Sequence, residues 1–117
     1  WRVVNRKIID RWPEESKKFN HSIPNAALVL LGLLMGEGDF TRTLGITVMA
    51  GLDTDCNGAT VGSIMGCAHG TDAISSHWTE PFNDTIRSEM KGEPEVRISK
   101  MARRMYEIAK DNVRLTS

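Results

Sequence analysis

The stretch Gly51-Leu52-Asp53-Thr54-Asp55-Cys56-Asn57-Gly58 places two carboxylates two residues apart in a predicted turn. Asp53 and Asp55 can direct their oxygens to one point only if the backbone between them bends tightly. Gly51 before them and Asn57-Gly58 after them are residue types that tolerate such bends. Two like charges this close repel unless a cation lies between them, and carboxylate oxygens suit Mg²⁺, Mn²⁺ or Ca²⁺. The stretch therefore predicts a divalent metal site, with a solvated, capped turn as the alternative.

Four glycines recur at every fourth position after the turn, namely Gly58, Gly62, Gly66 and Gly70. Because Asn57 is a good N-cap residue, we predict a helix from about Gly58 to about Ala68. Each glycine costs a helix about 1 kcal/mol relative to alanine. The spacing therefore predicts that another helix, or a ligand, lies directly against this stripe.

The same residues match part of an EF-hand calcium loop. Asp53, Asp55, Asn57 and Gly58 fit the first, third, fifth and sixth positions of that pattern. The last position of the loop should be a bidentate glutamate, and here it is Ile64. A helical module that prefers Ca²⁺ to Mg²⁺ therefore stays open as an alternative.

The segment from Gly51 to Gly70 resembles the second metal motif of the ADP-ribosylglycohydrolase family, which includes the dinitrogenase-reductase-activating glycohydrolases. The resemblance is carried by the run D-T-D-C-N-G-A and by the glycine spacing behind it. Three flanking segments are similar as well, at Ser22–Ala26, Gly38–Phe40 and Trp78–Pro81. Together these motifs extend the resemblance over the sequence from Ile23 to Arg87.

The resemblance implies an all-α fold and a hydrolase that uses two Mg²⁺ (or Mn²⁺) ions to cleave an ADP-ribosyl N- or O-glycosidic bond. It implies Asp53 and Asp55 as metal ligands, and Cys56 at a position that is commonly a hydroxyl ligand in the family. A thiol is a poor partner for Mg²⁺, so Cys56 departs from the pattern, and Leu52 stands where the family has a second glycine. The resemblance assigns no catalytic residue. The candidate substrate contacts are Gly51, Asn57 and Gly58.

The sequence has no second pair of adjacent acids that matches the family's first metal motif. Glu14-Glu15 lies in a polar segment and lacks the threonine-flanked context. We therefore predict that residues 1–117 form a single helical segment, the C-terminal part of a larger domain, which needs the upstream part of the same protein for catalysis. The other expected partner is an ADP-ribosylated substrate or an ADP-ribose-like small molecule. Cys56 leaves open a relative that binds ADP-ribose or a nucleotide without catalysis.

Composition argues against two classes of partner. Fifteen basic and fifteen acidic residues give a formal net charge of zero, and both signs are spread along the chain. This distribution offers neither a basic footprint for nucleic acid nor a polybasic membrane patch. The longest apolar run, Ala26 to Met35, is too short to span a bilayer. Cys56 and Cys67 are more consistent with free thiols in a reducing compartment, and hence a cytoplasmic location, than with a disulfide framework.

The hydrophobic pattern predicts helices and no strand. The predicted helices run over residues 1–12, 25–35, 40–50, 58–68, 80–90 and 95–112. Asp39 is expected to cap the third helix and Gly51 to end it, whereas the second helix is expected to be buried on all sides. We expect loops over residues 13–21 and 71–78, with His21 a capping or surface residue rather than a substrate contact. In the last helix the methionines are expected to fill a core and the basic residues to face solvent.

Overall fold

The computed structural model describes residues 1–15, 18 and 20–115, and it describes side chains as far as residue 112. These residues form six α-helices and two short strands, which confirms the predicted all-α class. In chain order the elements are α1 (Arg2–Arg11), α2 (Ser22–Met35), α3 (Phe40–Met49), α4 (Thr54–His69), α5 (Ser76–Thr79), β1 (Thr85–Arg87), β2 (Glu95–Arg97) and α6 (Ile98–Leu115). The chain divides into two compact units, Trp1–Ser75 and Ser76–Ser117. The predicted single segment over residues 1–117 stays a prediction.

The first unit is built on α2, α3 and α4, which pack against one another, while α1 packs against α2. Its buried apolar side chains are Leu28, Leu31, Ile46, Ala50, Val61 and Met65. The prediction that α2 is buried on all sides is wrong, because Leu30 and Leu34 are 55% and 66% exposed. Helix α2 is covered only where it meets α1, α3 and α4, although it is apolar nearly all round.

Two glycines lie in close contact with α3, namely Gly32 within α2 and Gly36 at its C-cap. A Cβ atom added to Gly32 would overlap the hydroxyl of Thr47, and one added to Gly36 would overlap the hydroxyl of Thr43. Both threonines are fully buried, and the Thr47 hydroxyl donates a hydrogen bond of 2.9 Å to the Thr43 carbonyl. Helix α3 therefore lies directly on the backbone of α2, which requires glycine at both positions.

Helices α1 and α3 end where the sequence predicts. Helix α1 stops at Arg11, before Pro13. The Asp39 carboxylate caps α3 by accepting a 2.6 Å hydrogen bond from the backbone N–H of Arg42.

The side-chain amide of Asn5 donates to the Ala50 carbonyl at 3.2 Å, which attaches α1 to the end of α3. This contact fixes the point from which the acidic turn starts.

The predicted helix over residues 80–90 is wrong. A 3₁₀ turn at Glu80–Phe82 ends at Asn83 and Asp84, whose φ angles of 47° and 53° are left-handed. Strands β1 and β2 then pair antiparallel, with Ile86 opposite the buried Val96. The spacing of Phe82, Ile86 and Met90 fits a helix, but two consecutive left-handed residues interrupt it before a second turn can form.

The last helix begins three residues later than predicted, because Glu95–Arg97 is a strand. Asp84 caps the start of α6 from a distant part of the chain. Its carbonyl accepts the N–H of Ile98 at 2.9 Å, and its carboxylate accepts the N–H of Ser99 at 2.8 Å and the Ser99 hydroxyl at 2.6 Å. These two bonds from Ser99, together with the charge of Arg97, hold the pKa of Asp84 below its ordinary value.

Ser99→Ala is expected to raise the pKa of Asp84 towards the ordinary value of about 3.9, because the hydroxyl that favours the carboxylate is removed. In the parent chain the stabilisation by this cap is complete above the ordinary pKa, and it is lost as pH falls through the lowered pKa of the folded state. Carboxyl carbon NMR of Asp84 during an acid titration measures the shift. Ser99→Thr keeps the hydroxyl and serves as the control. An unchanged pKa in Ser99→Ala would contradict the assigned cause.

The prediction that the methionines of the last helix fill a core is wrong for Met105, which is 65% exposed. Tyr106 and Ile108 are exposed as well, at 64% and 61%. The described side chains of α6 therefore present both an apolar and a basic face to solvent. None of the helices in the described ranges combines the length and the apolar character needed to cross a bilayer.

Candidate metal centre

The acidic turn connects the end of α3 to the start of α4 through two left-handed residues. Gly51 has a φ of 96° and Leu52 a φ of 59°. A left-handed conformation is costly for a residue with a branched side chain such as leucine, and the packing of Leu52 against the core offsets that cost. Gly51 thus ends α3 as predicted, and the position of Leu52 has the backbone conformation that a glycine would adopt most easily.

Asp53, Asp55 and Cys56 come together at the first turn of α4. Their nearest carboxylate and thiol atoms all lie within 4.8 Å of one another. Asp53 is half-buried, whereas Asp55 and Cys56 are exposed. The structure therefore groups the three residues that the sequence singled out for metal binding, and it leaves them accessible from solvent.

The electrostatics of the cluster favour a negative Asp55. When the two carboxyl groups share a proton, the hydrogen bond that Asp53 donates, and then the backbone N–H groups of Asp55 and Cys56, hold the pKa of Asp55 below its ordinary value. The hydrogen bond with Asp53, followed by the negative charges of Asp53 and Asp55, raises the pKa of the Cys56 thiol. At neutral pH the cluster thus offers an anionic carboxylate beside a protonated thiol.

The size of the cluster fits a small divalent cation. Mg²⁺ binds oxygen at about 2.0–2.1 Å, so two ligands on opposite sides of one ion lie about 4.2 Å apart. The three donors lie within 4.8 Å of one another, so they can share one ion once their side chains turn to bring adjacent donors to about 3.0 Å. The carboxylates of Asp53 and Asp55 suit Mg²⁺ or Mn²⁺, and the thiol of Cys56 suits a softer ion better.

The EF-hand alternative does not fit the structure. An EF-hand loop keeps its ligand-bearing positions in an irregular loop, but the chain is helical from Thr54 onward. The side chain of Asn57, which would be the third ligand, is buried and donates a 2.6 Å hydrogen bond to Asn25. Helix α4 begins at Thr54 with Asp53 as its N-cap, so the predicted start at Gly58 and the predicted N-cap role of Asn57 are both wrong.

Two of the three candidate substrate contacts lie in the packed interior. Asn57 is 4% exposed, and Gly58 is buried against α3. A Cβ atom added to Gly58 would lie 3.3 Å from Val48 and 3.5 Å from Leu44. Gly51 is half-buried. The assignment of Gly51, Asn57 and Gly58 to substrate binding stays a prediction, and the burial of Asn57 and Gly58 offers it no support.

The predicted close approach along the glycine stripe holds at one position only. Gly58 meets α3, whereas a Cβ atom added to Gly62 would have no described atom within 4 Å, and one added to Gly66 would touch only Ile74, at 3.9 Å. Gly70 ends the helix with a φ of 73°. The four-residue spacing therefore does not mark a continuous helix contact among the described residues.

Asn25 is the residue of the site that the sequence analysis missed. Its side-chain oxygen accepts hydrogen bonds from the backbone N–H of Asp53 at 3.1 Å and from the side-chain amide of Asn57 at 2.6 Å. Its own amide donates to the carbonyl of His21 at 2.8 Å. Its position in the sequence could have indicated this role, because Asn25 precedes an apolar run and a buried polar side chain must find hydrogen-bond partners.

His21 occupies the N-cap position of α2, and its side chain makes no capping bond. Its backbone carbonyl, not its ring, serves the site by accepting the bond from Asn25. The N-cap position agrees with one of the two roles expected for His21, a capping or a surface residue, and its backbone alone makes the cap.

Comparison with known proteins gives one family. The family model described as ADP-ribosylglycohydrolase matches residues 2–113, nearly the whole chain. No curated protein and no solved structure matches the chain significantly. The match includes the acidic turn, Asn25 and the two helices that Asn25 connects.

Proposed function

Because the chain belongs to the ADP-ribosylglycohydrolase family, we propose that Asp53 and Asp55 bind a divalent metal ion in an active site that cleaves ADP-ribosyl N- or O-glycosidic bonds. The observation that carries this proposal is the grouping of the Asp53, Asp55 and Cys56 donor atoms within 4.8 Å at the start of α4. Mg²⁺ is the proposed ion, with Mn²⁺ as an alternative, and the complete site holds two ions.

The residues of the turn have distinct roles in this proposal. Asp53 supplies a carboxylate from a backbone position that is fixed by hydrogen bonds on both sides. Asp55 supplies an exposed carboxylate, and its lowered pKa extends the anionic form further into the acidic range. A metal ion held by Asp53 and Asp55 would supply Lewis-acid chemistry, orienting ribose hydroxyls and lowering the pKa of a bound water. Cys56 contributes little as a ligand while its thiol is protonated, because metal ions bind the thiolate.

We further propose that this chain carries one half of the metal site. Among the described residues, Asp53, Asp55 and Cys56 form the one group of three side chains that could hold a metal ion. The second acidic motif is then supplied by the upstream part of the same protein, and the substrate is an ADP-ribosylated molecule or an ADP-ribose-like ligand. Cys56 and Cys67 are free thiols, which supports a cytoplasmic location.

The test compares the 117-residue chain with the same chain extended by the residues that precede Trp1 in its gene. Both proteins are expected to bind Mn²⁺ in calorimetric titration. Only the extended protein is expected to release ADP-ribose from an ADP-ribosylated peptide, in a reaction abolished by a chelator. Steady turnover by the shorter chain would contradict its incompleteness, and the absence of Mn²⁺ binding to either protein would contradict the metal site.

Cys56 favours a second candidate function, a relative that binds ADP-ribose without cleaving it. The thiol stands where the family commonly has a hydroxyl ligand, and a thiol weakens the fit to Mg²⁺. On this reading the extended protein binds ADP-ribose but releases none from the peptide. Turnover that appears only after Cys56→Thr would identify the thiol as the cause.

A further inference from the structure

Asn25 is a buried polar side chain in the apolar helix α2. It is 8% exposed, and the residues that follow it as far as Met35 are apolar or glycine. An amide group buried in such surroundings is unfavourable unless hydrogen bonds replace its contacts with water. The hydrogen-bond partners of Asn25 therefore indicate its role in the structure.

The hydrogen bonds of Asn25 fix the orientation of its side chain. The oxygen accepts from Asp53 and Asn57, at 3.1 and 2.6 Å, and the nitrogen donates to the His21 carbonyl at 2.8 Å. A flipped amide would point a donor at two donors and an oxygen at a carbonyl oxygen, so only one orientation is compatible with all three contacts.

Asn25 and Asn57 together hold the backbone of Asp53 from both sides. The N–H of Asp53 donates to the side chain of Asn25, and the carbonyl of Asp53 accepts the N–H of Asn57 at 2.9 Å. The bond between the two asparagine side chains connects these contacts. Asp53 is thereby set at a defined position relative to Asp55 before any ion binds.

We propose that Asn25, acting through Asn57 and the backbone of Asp53, is a positioning residue that sets the metal affinity of the acidic turn. This inference rests on the proposed metal function. Neither asparagine belongs to the donor cluster itself. Groups that orient metal ligands change affinity by about 10- to 100-fold when they are removed, so the contribution of Asn25 is large enough to measure.

The main test is Asn25→Leu, which keeps the side-chain size and removes the acceptor for Asp53 and Asn57. We expect Mn²⁺ to bind about 10-fold or more weakly, measured by calorimetry and by electron paramagnetic resonance of free Mn²⁺. Amide hydrogen exchange at Asp53 is expected to accelerate in the metal-free chain. Asn25→Asp, which retains an acceptor oxygen, is expected to keep the Asp53 amide protected.

The control for a purely structural effect is Ile46→Val. Ile46 is 4% exposed and lies in the core of the same unit, so this change lowers stability and leaves the hydrogen bonds of Asn25, Asn57 and Asp53 in place. We expect its Mn²⁺ affinity to be unchanged. An equal loss of affinity in Ile46→Val would overturn the proposal, as would parental affinity and exchange in Asn25→Leu.

Two further outcomes are a variant that does not fold and a parent chain that binds no Mn²⁺. If Asn25→Leu fails to fold, Asn57→Ala tests the same connection from α4 and is expected to weaken Mn²⁺ binding as well; parental affinity there would overturn the proposal. If the parent chain binds no Mn²⁺, the proposed metal function fails by itself. The exchange rate of the Asp53 amide then still decides whether Asn25 positions the turn.

Discussion

Asp55→Asn is expected to weaken Mn²⁺ and Mg²⁺ binding by more than about 100-fold, since even partners that only orient a ligand contribute about 10- to 100-fold. Asparagine has nearly the same shape as aspartate, and Asp55 is exposed, so the fold should persist. What disappears is the anionic oxygen that the backbone N–H groups of Asp55 and Cys56 stabilise. Calorimetric titration of both ions into the variant and the parent chain measures the loss.

The matched control is Asp72→Asn, which removes the same charge near the opposite end of α4. Asp72 is exposed and follows the helix, and a helix of 16 residues separates the two ends by about 24 Å at 1.5 Å per residue. We expect parental affinity in this variant. Equal losses in both variants would mean that a diffuse negative charge attracts the ion, and an unchanged affinity in Asp55→Asn would remove Asp55 from the site.

Gly32→Ala is expected to lower the free energy of unfolding of the first unit by about 2 kcal/mol. The added methyl group would overlap the Thr47 hydroxyl and lie 3.2 Å from the Thr43 carbonyl oxygen. Overpacking of this kind costs about 1–3 kcal/mol, and the upper end applies because the buried Thr47 hydroxyl cannot rotate without losing its hydrogen bond to Thr43. Alanine returns about 1 kcal/mol through its higher helix propensity. Urea denaturation followed by circular dichroism measures the difference.

Gly62→Ala makes the same substitution in α4, where no described atom lies near the added methyl group. We expect it to stabilise the chain by up to about 1 kcal/mol, through helix propensity alone. A destabilised Gly62→Ala would indicate that something does lie against the glycine stripe, as its spacing first suggested. A Gly32→Ala variant as stable as the parent would contradict the close contact between α2 and α3.

The candidate site was predictable to the extent that its parts are neighbours in sequence. Asp53, Asp55 and Cys56 lie within four consecutive residues, so any tight turn brings their side chains together. Asp39 and Gly51 marked the bounds of α3 because capping depends on residues within one turn of the helix end. The family motif rests on the same local run, and the match over residues 2–113 confirms the family.

Contacts between distant parts of the chain were not predictable in this way. Asn25 lies 28 residues before Asp53, and nothing in the sequence around either residue specifies that they meet. Asp84 caps a helix that starts 14 residues later, and residues 85–97 between them form a hairpin in place of part of a predicted helix. These outcomes depend on how the elements pack, because a polar group accepts whichever partner the packing brings to it.

The glycines of α4 and of α2 show the same difference between what local sequence determines and what packing determines. Local sequence determines that Gly58 and Gly62 lie on one side of α4, because residues four apart share a helix face. It does not determine which helix covers that face, or whether any does, and in the structure α3 covers only the part at Gly58. The close contact instead forms at Gly32, where the hydroxyl of Thr47 lies against the backbone of α2. Backbone conformation responds to neighbours along the chain, whereas burial depends on surfaces that meet only once the chain has folded.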